Sequence, residues 1–169
     1  MRVVGRASNL SLGPPRATTA DGFEELYRQE YPGLARLAWL LTGGVATSED
    51  LVQEAFTALF ECFDKIERPQ AWLRTCLVNR CRDHHRRVAR ERRRLERVGS
   101  GQPVSADLGA RELLDAVGRL PYDQRATLVL RYWLDLPDDV IADHLGIRRG
   151  TVRSRSARAM ATLNKEIER

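Results

Sequence analysis

The spacing of apolar residues is the feature that most restricts what this chain can fold into. From Phe23 onwards, apolar side chains recur every three or four positions, with one long interruption between Gly99 and Gly109 that is rich in Gly, Ser and Pro. This period predicts amphipathic helices, and no segment alternates apolar and polar residues as a half-buried strand would. We therefore expect an all-α protein with two small helical domains joined by a flexible linker.

These patterns divide the chain into four parts. Residues 1–20 contain Pro14 and Pro15 among scattered Ser and Thr without periodicity, which predicts a disordered tail. Residues 21–98 form the first helical domain, residues 99–109 the linker and residues 110–169 the second domain. Both helical parts are small but long enough to fold as domains.

The cationic residues are clustered rather than spread along the chain. The formal net charge is only +5, from 28 Lys and Arg against 23 Asp and Glu. Nine arginines nevertheless fall between Arg80 and Arg97 beside three acids, and five more fall between Arg148 and Arg158 with none. Clustered cations in an otherwise balanced chain favour a nucleic-acid surface.

Neither secretion nor membrane insertion is expected. The first twenty residues lack the apolar core of a signal peptide. The longest apolar run, residues 34–41, is far shorter than the roughly 20 residues that a membrane span requires. We expect a cytoplasmic protein with reduced cysteines and no contact with a membrane.

Within the first domain, one helical pattern begins near Ser48, which is predicted to be its N-cap. Asp50, Gln53, Glu54, Thr57 and Glu61 line the polar face of this helix. A short loop, Asp64 to Gln70, separates it from a second helix whose later half is nearly all charged and is expected to project from the core.

The segment from Asp138 to Ala159 has the layout of a helix-turn-helix, with Gly146 at the sharp turn and Val152 anchoring the second helix. Arg148 and Arg149 lie where that second helix begins, although the helix dipole disfavours cations there. DNA phosphates within reach would make these arginines favourable, and the second helix of this motif lies in the major groove.

Two other kinds of protein remain open from these residues. One is a self-sufficient helix-turn-helix regulator, whose N-terminal domain would sense a signal or dimerise. The other is a metal enzyme using Cys76, Cys81 and His84, but their spacing covers more than one helix face and no second cysteine pair completes a zinc site. The thiols are more simply core residues. With no phosphate-binding loop or nucleophile–base arrangement, we expect no enzyme activity, metal or cofactor.

Two parts of the sequence resemble two regions of the bacterial sigma-70 family of RNA polymerase sigma factors, in its extracytoplasmic-function (ECF) group. Residues 48–60 and 71–87 resemble region 2, and residues 120–163 resemble region 4, in the family's order and with only a short linker between them. The resemblance extends over residues 22–166. It implies a protein that binds core RNA polymerase, directs it to the −10 and −35 elements of promoter DNA, and in many relatives is held inactive by an anti-sigma factor.

The resemblance also implies roles for individual residues. Those expected to contact the −35 element are Arg148, Arg149, Thr151, Arg153, Ser154, Arg155 and Arg158. Those expected to contact the −10 element are Trp72, Asn79, Arg80, Asp83, Arg86 and Arg87, with an unstacked base captured near the loop from Asp64 to Gln70. Those expected to contact core polymerase are Asp50, Gln53, Glu54 and Thr57.

Two positions depart from the family's pattern. Arg148 stands where relatives often have Ser or Pro, which removes a helix cap of about 1 kcal/mol. Ser156 stands where a large apolar residue usually follows Val152 by one turn, so we expect a looser contact between the recognition helix and its neighbour.

Overall fold

The computed structural model describes residues 19–96 and 110–167, and every regular element in these ranges is helical, which confirms the predicted all-α class. The elements are α1 (Thr19–Thr42), α2 (Val45–Phe60), a 3₁₀ turn (Phe63–Lys65), α3 (Pro69–Glu96), α4 (Ala110–Arg119), α5 (Tyr122–Leu128), a π-helical turn (Val129–Trp133), α6 (Asp138–Leu145) and α7 (Arg149–Ile167). The predicted linker and residues 1–18 of the predicted tail lie outside the described ranges. Helix α1 begins at Thr19, inside the segment predicted to be tail.

Helices α1, α2 and α3 pack together because each carries an apolar stripe of the predicted period. Burying one large apolar side chain contributes about 1.5–3 kcal/mol, so these stripes, rather than intrinsic helix propensity, hold the three helices together. Buried members of the three stripes include Leu34, Leu37, Leu41, Val52, Phe56, Leu59, Leu73 and Leu77.

The start of α2 corrects one prediction, because Ser48 is not the N-cap. Gly44 holds that position in an extended conformation. The helix starts early because Gly43, with φ of 80°, turns the chain directly after α1. Ser48 lies one turn inside α2, where it is buried and donates a hydrogen bond to the Gly44 carbonyl.

The start of α3 corrects a second prediction. The loop expected to reach Gln70 is shorter, because α3 begins at Pro69. Proline suits the first position of a helix, where its missing N–H would have no partner and its fixed φ is already helical. From there α3 continues to Glu96, and the exposed arginines of its second half extend beyond the apolar contact with α1 and α2, as predicted.

Helices α4 to α7 form the second unit, in which α7 packs across α4, α5 and α6. Its buried apolar side chains include Leu120, Leu128, Leu130, Ile141, Leu145, Val152, Ala159 and Leu163. Within the described residues, no helix is long and apolar enough to cross a lipid bilayer.

The two helical units also pack directly on each other, with α1 and α3 against α4, α5 and α6. The Tyr122 hydroxyl donates to the Val78 carbonyl of α3 at 2.7 Å. The hydroxyl of Thr75, also on α3, lies 2.6 Å from Nδ1 of His144 on α6. His85 stacks on the Tyr122 ring with centroids 5.4 Å apart. The contact between the units is therefore both apolar and hydrogen-bonded.

A buried arginine crosses this contact. Arg125 of α5 is only 7% exposed, and it donates to the Leu41 carbonyl at the end of α1 at 2.8 Å. It also donates to the carbonyls of Gly118 and Leu120 in its own unit. Carbonyls at helix C-termini carry partial negative charge and so favour a cation. Arg125 thus joins the end of α1 to the second unit.

Candidate functional site

The turn between α6 and α7 has the helix-turn-helix geometry that the sequence predicts. Gly146, which follows α6, adopts left-handed backbone angles (φ 62°, ψ 39°) that a residue with a Cβ rarely takes. The amide of Ile147 donates to the Ala142 carbonyl at 3.0 Å and closes the helix end. Helix α7 then begins at Arg149, directly after Arg148, so both arginines lie at the N-terminus of α7 as predicted.

Helix α7 divides into a buried face and a cationic face. Val152, Ser156, Ala159 and Leu163 are buried against the rest of the second unit. Of the residues predicted to contact the −35 element, Arg148, Arg149, Arg153, Ser154 and Arg158 are exposed, while Thr151 and Arg155 are half-buried. The exposed part of α7 thus presents several guanidinium groups, which suits contact with DNA phosphates and guanine edges.

One exposed arginine of α7, Arg153, is held by an acidic residue of α6. Asp138 accepts hydrogen bonds from Nε of Arg153 at 3.1 Å and from Arg131 of the π-helical turn. Partial burial raises the pKa of Asp138, but the hydrogen bond from Arg153 and the charges of both arginines outweigh it and bring the pKa below its ordinary value. Asp138 is therefore ionised at neutral pH.

Arg155 lies on the side of α7 that faces α5. Its guanidinium donates to the carboxylate of Asp123 at 2.9 Å, and its side chain is 20% exposed, against 66% for Arg153. Arg155 thus differs from Arg149, Arg153 and Arg158, whose side chains are exposed. Its contact joins α7 to the N-terminal turn of α5.

Ser156 is buried at the position where the family's pattern has a large apolar residue. The residue is 4% exposed, and its hydroxyl has no hydrogen-bond partner among the described residues. A buried hydroxyl without a partner is unfavourable by about 1–3 kcal/mol. Nearby, Val152 and Ala159 are fully buried on the same face. The contact of α7 with its neighbours thus includes one buried hydroxyl without a hydrogen-bond partner in the described part of the chain.

The cationic half of α3 forms a second exposed surface. Asn79, Asp83, Arg86 and Arg87 are exposed along it, whereas Trp72 is half-buried and packs against the apolar core. The side chain of Arg82 turns the other way and donates to the Leu145 carbonyl of the second unit at 3.2 Å. The structure therefore brings four of the six residues predicted for the −10 element onto open surface.

Arg80 belongs to a cleft between α3 and α2 rather than to that surface. Its guanidinium donates to the Glu54 carboxylate at 2.6 Å and to the Cys76 sulfur at 3.4 Å. The cleft has a volume of about 520 Å³, large enough for several side chains of a partner. Its lining residues are Asp50, Gln53, Glu54, Thr57, Ala58, Glu61 and Arg80. All four residues predicted to contact polymerase thus lie together.

The contact between the two units is the part that sequence reasoning missed. Tyr122 and Arg125 follow the helical period of the apolar positions in α5, which could have indicated burial. Thr75 and His144 carried no such signal, because polar residues at those positions also suit an exposed face. Pairing residues 69 positions apart in sequence requires knowledge of the tertiary structure.

The three cysteines are free thiols, with Cys81 buried and Cys62 and Cys76 half-buried. Burial raises the pKa of Cys81 to about 12, so its thiol stays protonated and a poor ligand. In the ranges 19–96 and 110–167, no three His, Cys, Asp or Glu side chains are arranged to hold a metal ion. Cys76 contacts Arg80, and Cys62 donates to the Ala58 carbonyl.

Comparison with known proteins assigns each helical unit to a family model. Residues 26–91 match Sigma-70 region 2, and residues 110–163 match Sigma-70, region 4. The first range contains the acidic-lined cleft and all six residues predicted to contact the −10 element. The second contains the helix-turn-helix. The two matches follow the order that the sequence resemblance implied.

Whole-chain relatives agree with these matches. The RNA polymerase sigma-E factor of Streptomyces coelicolor is 31% identical, over 86% of this chain and 85% of the relative. The ECF RNA polymerase sigma factor SigM of Mycobacterium tuberculosis is 34% identical, over 83% of this chain and 74% of the relative. The solved sigma factor RpoE of Bartonella quintana, in complex with the anti-sigma factor NepR, is 25% identical with a TM-score of 0.71, over 88% and 98% of the two chains. This chain belongs to the sigma-70 family of RNA polymerase sigma factors, in the extracytoplasmic-function group.

Proposed function

We propose that this protein binds core RNA polymerase and directs it to promoters that carry a −35 and a −10 element, so that transcription starts there. One observation carries this proposal. The same chain has a helix-turn-helix with exposed arginines on α7 and an acidic-lined cleft on α2. A DNA-binding regulator needs the first surface only. A subunit that brings polymerase to DNA needs both.

In this proposal, α7 lies in the major groove of the −35 element. Arg149, Arg153 and Arg158 are the residues best placed for base edges and phosphates, because the side chain of each is exposed. Arg148, Thr151 and Ser154 would contact the backbone near the start of the helix, where its dipole favours phosphate. We assign Arg155 to holding α7 on α5 through Asp123 instead of to DNA.

The −10 element would lie along α3. Asn79 can hydrogen-bond base edges, and Arg86 and Arg87 can hold the phosphates of a separated strand. Asp83 is exposed among these arginines, where it would oppose binding at positions that bring a phosphate near it. Trp72 supports the helix from the core side rather than offering a stacking surface.

Core polymerase would dock on α2 over the cleft that contains Asp50 and Thr57. Gln53 and Glu54 are pre-oriented there, because Gln53 donates to the Tyr27 hydroxyl at 2.7 Å and Glu54 accepts from Arg80. Side chains held in one orientation lose less entropy on binding. A cationic helix of the polymerase would complement the acidic rim.

The remaining assignments follow from this role. We place the region 2 domain at 21–98, the linker at 99–109 and the region 4 domain at 110–169. The protein would act in the cytoplasm and without a cofactor, and the chemistry of RNA synthesis would belong to the polymerase. The structural relative from Bartonella quintana was solved with an anti-sigma factor, so a protein of that class is the partner that we expect to restrain this chain.

Polymerase binding separates this proposal from a self-sufficient regulator. Purified protein would be mixed with core polymerase, and the complex would be detected by gel filtration and by biolayer interferometry. We expect a stable complex that Asp50→Lys weakens and Glu49→Lys, an exposed change on the same helix outside the cleft, weakens far less. If no complex forms while the free protein alone binds a palindromic DNA site, the regulator is the correct function.

A further inference from the structure

Asp138 of α6 accepts a hydrogen bond from Arg153, one of the residues proposed to contact DNA. The carboxylate side chain is 19% exposed, while that of Arg153 is 66% exposed. A mostly buried acidic group therefore binds an exposed cationic one. The second oxygen of Asp138 is held by Arg131, whose side chain is 25% exposed. The acid is thereby fixed from one side by the π-helical turn and can orient the arginine on the other.

The atom that Asp138 contacts determines which donors of Arg153 remain available. The hydrogen bond is made by Nε, at 3.1 Å from the carboxylate oxygen. A guanidinium has five N–H donors, and those on the two terminal nitrogens stay outside this bond. Two of them form the edge that pairs bidentately with O6 and N7 of guanine. Because Nε is bound to Asp138, the edge formed by the two terminal nitrogens of Arg153 points away from α6.

The charge of Asp138 also favours a fixed position for Arg153. Without Asp138, the guanidinium groups of Arg131 and Arg153 would face each other across the start of α6, and like charges at such separations repel. With Asp138 between them, the three residues carry a net charge of +1, and Arg153 is the most exposed of the three. The neighbouring acid, Asp139, is exposed and lies outside this network.

We infer that Asp138 is a positioning and specificity-determining residue: it orients Arg153 so that the −35 element is read at one base pair, at some cost in general affinity for DNA. This inference rests on the proposed function, in which α7 reads the −35 element. Asp138 does not itself contact DNA. Its role is to restrict Arg153 to one geometry, which raises discrimination between sequences more than affinity.

Removing the Asp138 carboxylate should change affinity for DNA and discrimination between sequences in opposite directions. Replacing Asp138 by Asn removes one negative charge from a DNA-facing surface, so binding to an unrelated sequence should stay equal or become tighter. At the same time Arg153 gains freedom, so discrimination at its base pair should fall. A change that merely damaged the fold would weaken both kinds of binding together.

The test uses holoenzyme assembled from core polymerase and the full chain. The probes are a duplex from a promoter mapped with this holoenzyme, the set of duplexes with single base-pair changes in its −35 element, and a duplex of equal length with that element scrambled. The variants are Asp138→Asn, Arg153→Ala, the double variant, and Asp139→Asn as a control that removes an acid from the same first turn of α6. Thermal unfolding of each variant is recorded in parallel.

We expect Asp138→Asn to reduce discrimination at one −35 base pair by about 3- to 10-fold, part of the roughly 5- to 150-fold that one bidentate arginine supplies. Binding to the scrambled duplex should be unchanged or tighter. The same base pair should lose discrimination in Arg153→Ala, and the double variant should show no further loss. Asp139→Asn should keep the full base preference.

Two results would overturn the inference. If Arg153→Ala loses discrimination but Asp138→Asn and Asp139→Asn both keep it, Asp138 does not position Arg153, and the proposed reading by α7 stands. If Arg153→Ala changes neither affinity nor base preference, the role of Arg153 is wrong, and the role of Asp138 is wrong with it.

Discussion

The guanidinium of Arg80 on α3 lies 2.6 Å from the carboxylate of Glu54 on α2. One residue was predicted to contact the −10 element and the other to contact core polymerase, so this ion pair joins the two proposed surfaces. Both residues line the same cleft. A polymerase helix that engages Glu54 would compete with Arg80 for it and release a cation next to the DNA-facing side of α3.

We predict that Glu54→Gln weakens binding to core polymerase and leaves the fold intact. The pair is partly exposed, with side chains 32% and 56% accessible, so losing it should change the free energy of unfolding by less than about 1 kcal/mol. The loss in polymerase binding should be larger, and it is measured by interferometry with immobilised core enzyme. Glu49→Gln, on the same helix but outside the cleft, is the matched control; equal losses from both changes would contradict a specific role for Glu54.

Arg125→Met is predicted to loosen the contact between the two helical units. The change removes donors to the carbonyls of Leu41, Gly118 and Leu120 and leaves those groups in a buried region. Hydrogen bonds from charged donors are worth about 1.5–3 kcal/mol each, and relaxation and release of the buried charge offset part of that. We expect the free energy of urea unfolding to fall by about 1–3 kcal/mol.

The control for this change is Arg119→Met, which removes an exposed arginine of α4 that is paired with Glu166. It should lower the free energy of unfolding by less than about 1 kcal/mol. A loss from Arg125→Met no larger than that of Arg119→Met would show that Arg125 does not hold the units together.

Two histidines in the same contact should make stability depend on pH. Burial lowers the pKa of both His85 and His144, and neighbouring cations lower each further. The charged groups that face them are Arg125, His84 and Asp123 for His85, and Arg74 and Asp143 for His144. Below an unfolded-state pKa of about 6.5, the folded state therefore binds fewer protons at these histidines than the unfolded state does. The stability that the two neutral histidines contribute is complete above that pH and is lost as the pH falls below it.

We therefore expect a lower free energy of unfolding at pH 5.5 than at pH 7.5. The variant His85→Phe, His144→Asn keeps a stacking ring beside Tyr122 and a polar partner for Thr75 but has neither titrating group. Its free energy of unfolding should fall less over the same interval. An equal fall in both proteins would assign the pH dependence to other groups.

Ser156→Ala is predicted to stabilise the protein. The substitution removes a buried hydroxyl that has no partner among the described residues and keeps the Cβ that packs in the second unit. We expect an increase of about 1 kcal/mol in the free energy of unfolding, measured in urea. Ser154→Ala, an exposed change two residues earlier on α7, should leave it nearly unchanged. A loss of stability in Ser156→Ala would mean that the hydroxyl has a partner.

Sequence patterns predicted the parts of this structure that depend on local spacing. The helical period predicted helices with buried apolar stripes, and Val152, the predicted anchor of the second helix of the helix-turn-helix, is fully buried. The Gly146 turn followed from one residue that tolerates a positive φ. Local cues failed where a neighbouring element decided the outcome. Ser48 looked like a cap, but Gly43 turns the chain early enough for α2 to begin before it.

Side-chain pairings between distant residues could not be predicted. Arg155 and Arg153 both looked like exposed cations of α7, and only the position of Asp123 on α5 separates the half-buried residue from the exposed one. In the same way, the sequence did not distinguish Arg80 from the other arginines of α3. Only its hydrogen bond to Glu54 shows that Arg80 lies in the cleft. Such distinctions depend on how helices cross, which the helical period does not specify.

Transcription by reconstituted holoenzyme tests the central claim most directly. Core polymerase would transcribe fragmented genomic DNA with and without this protein, and RNA 5′ ends would be mapped. We predict new start sites that appear only with the protein and share two spaced upstream motifs, and that are lost when Arg149 and Arg153 are both changed to Ala. The same set of start sites with and without the protein would contradict the assignment of this chain as a promoter-specificity subunit.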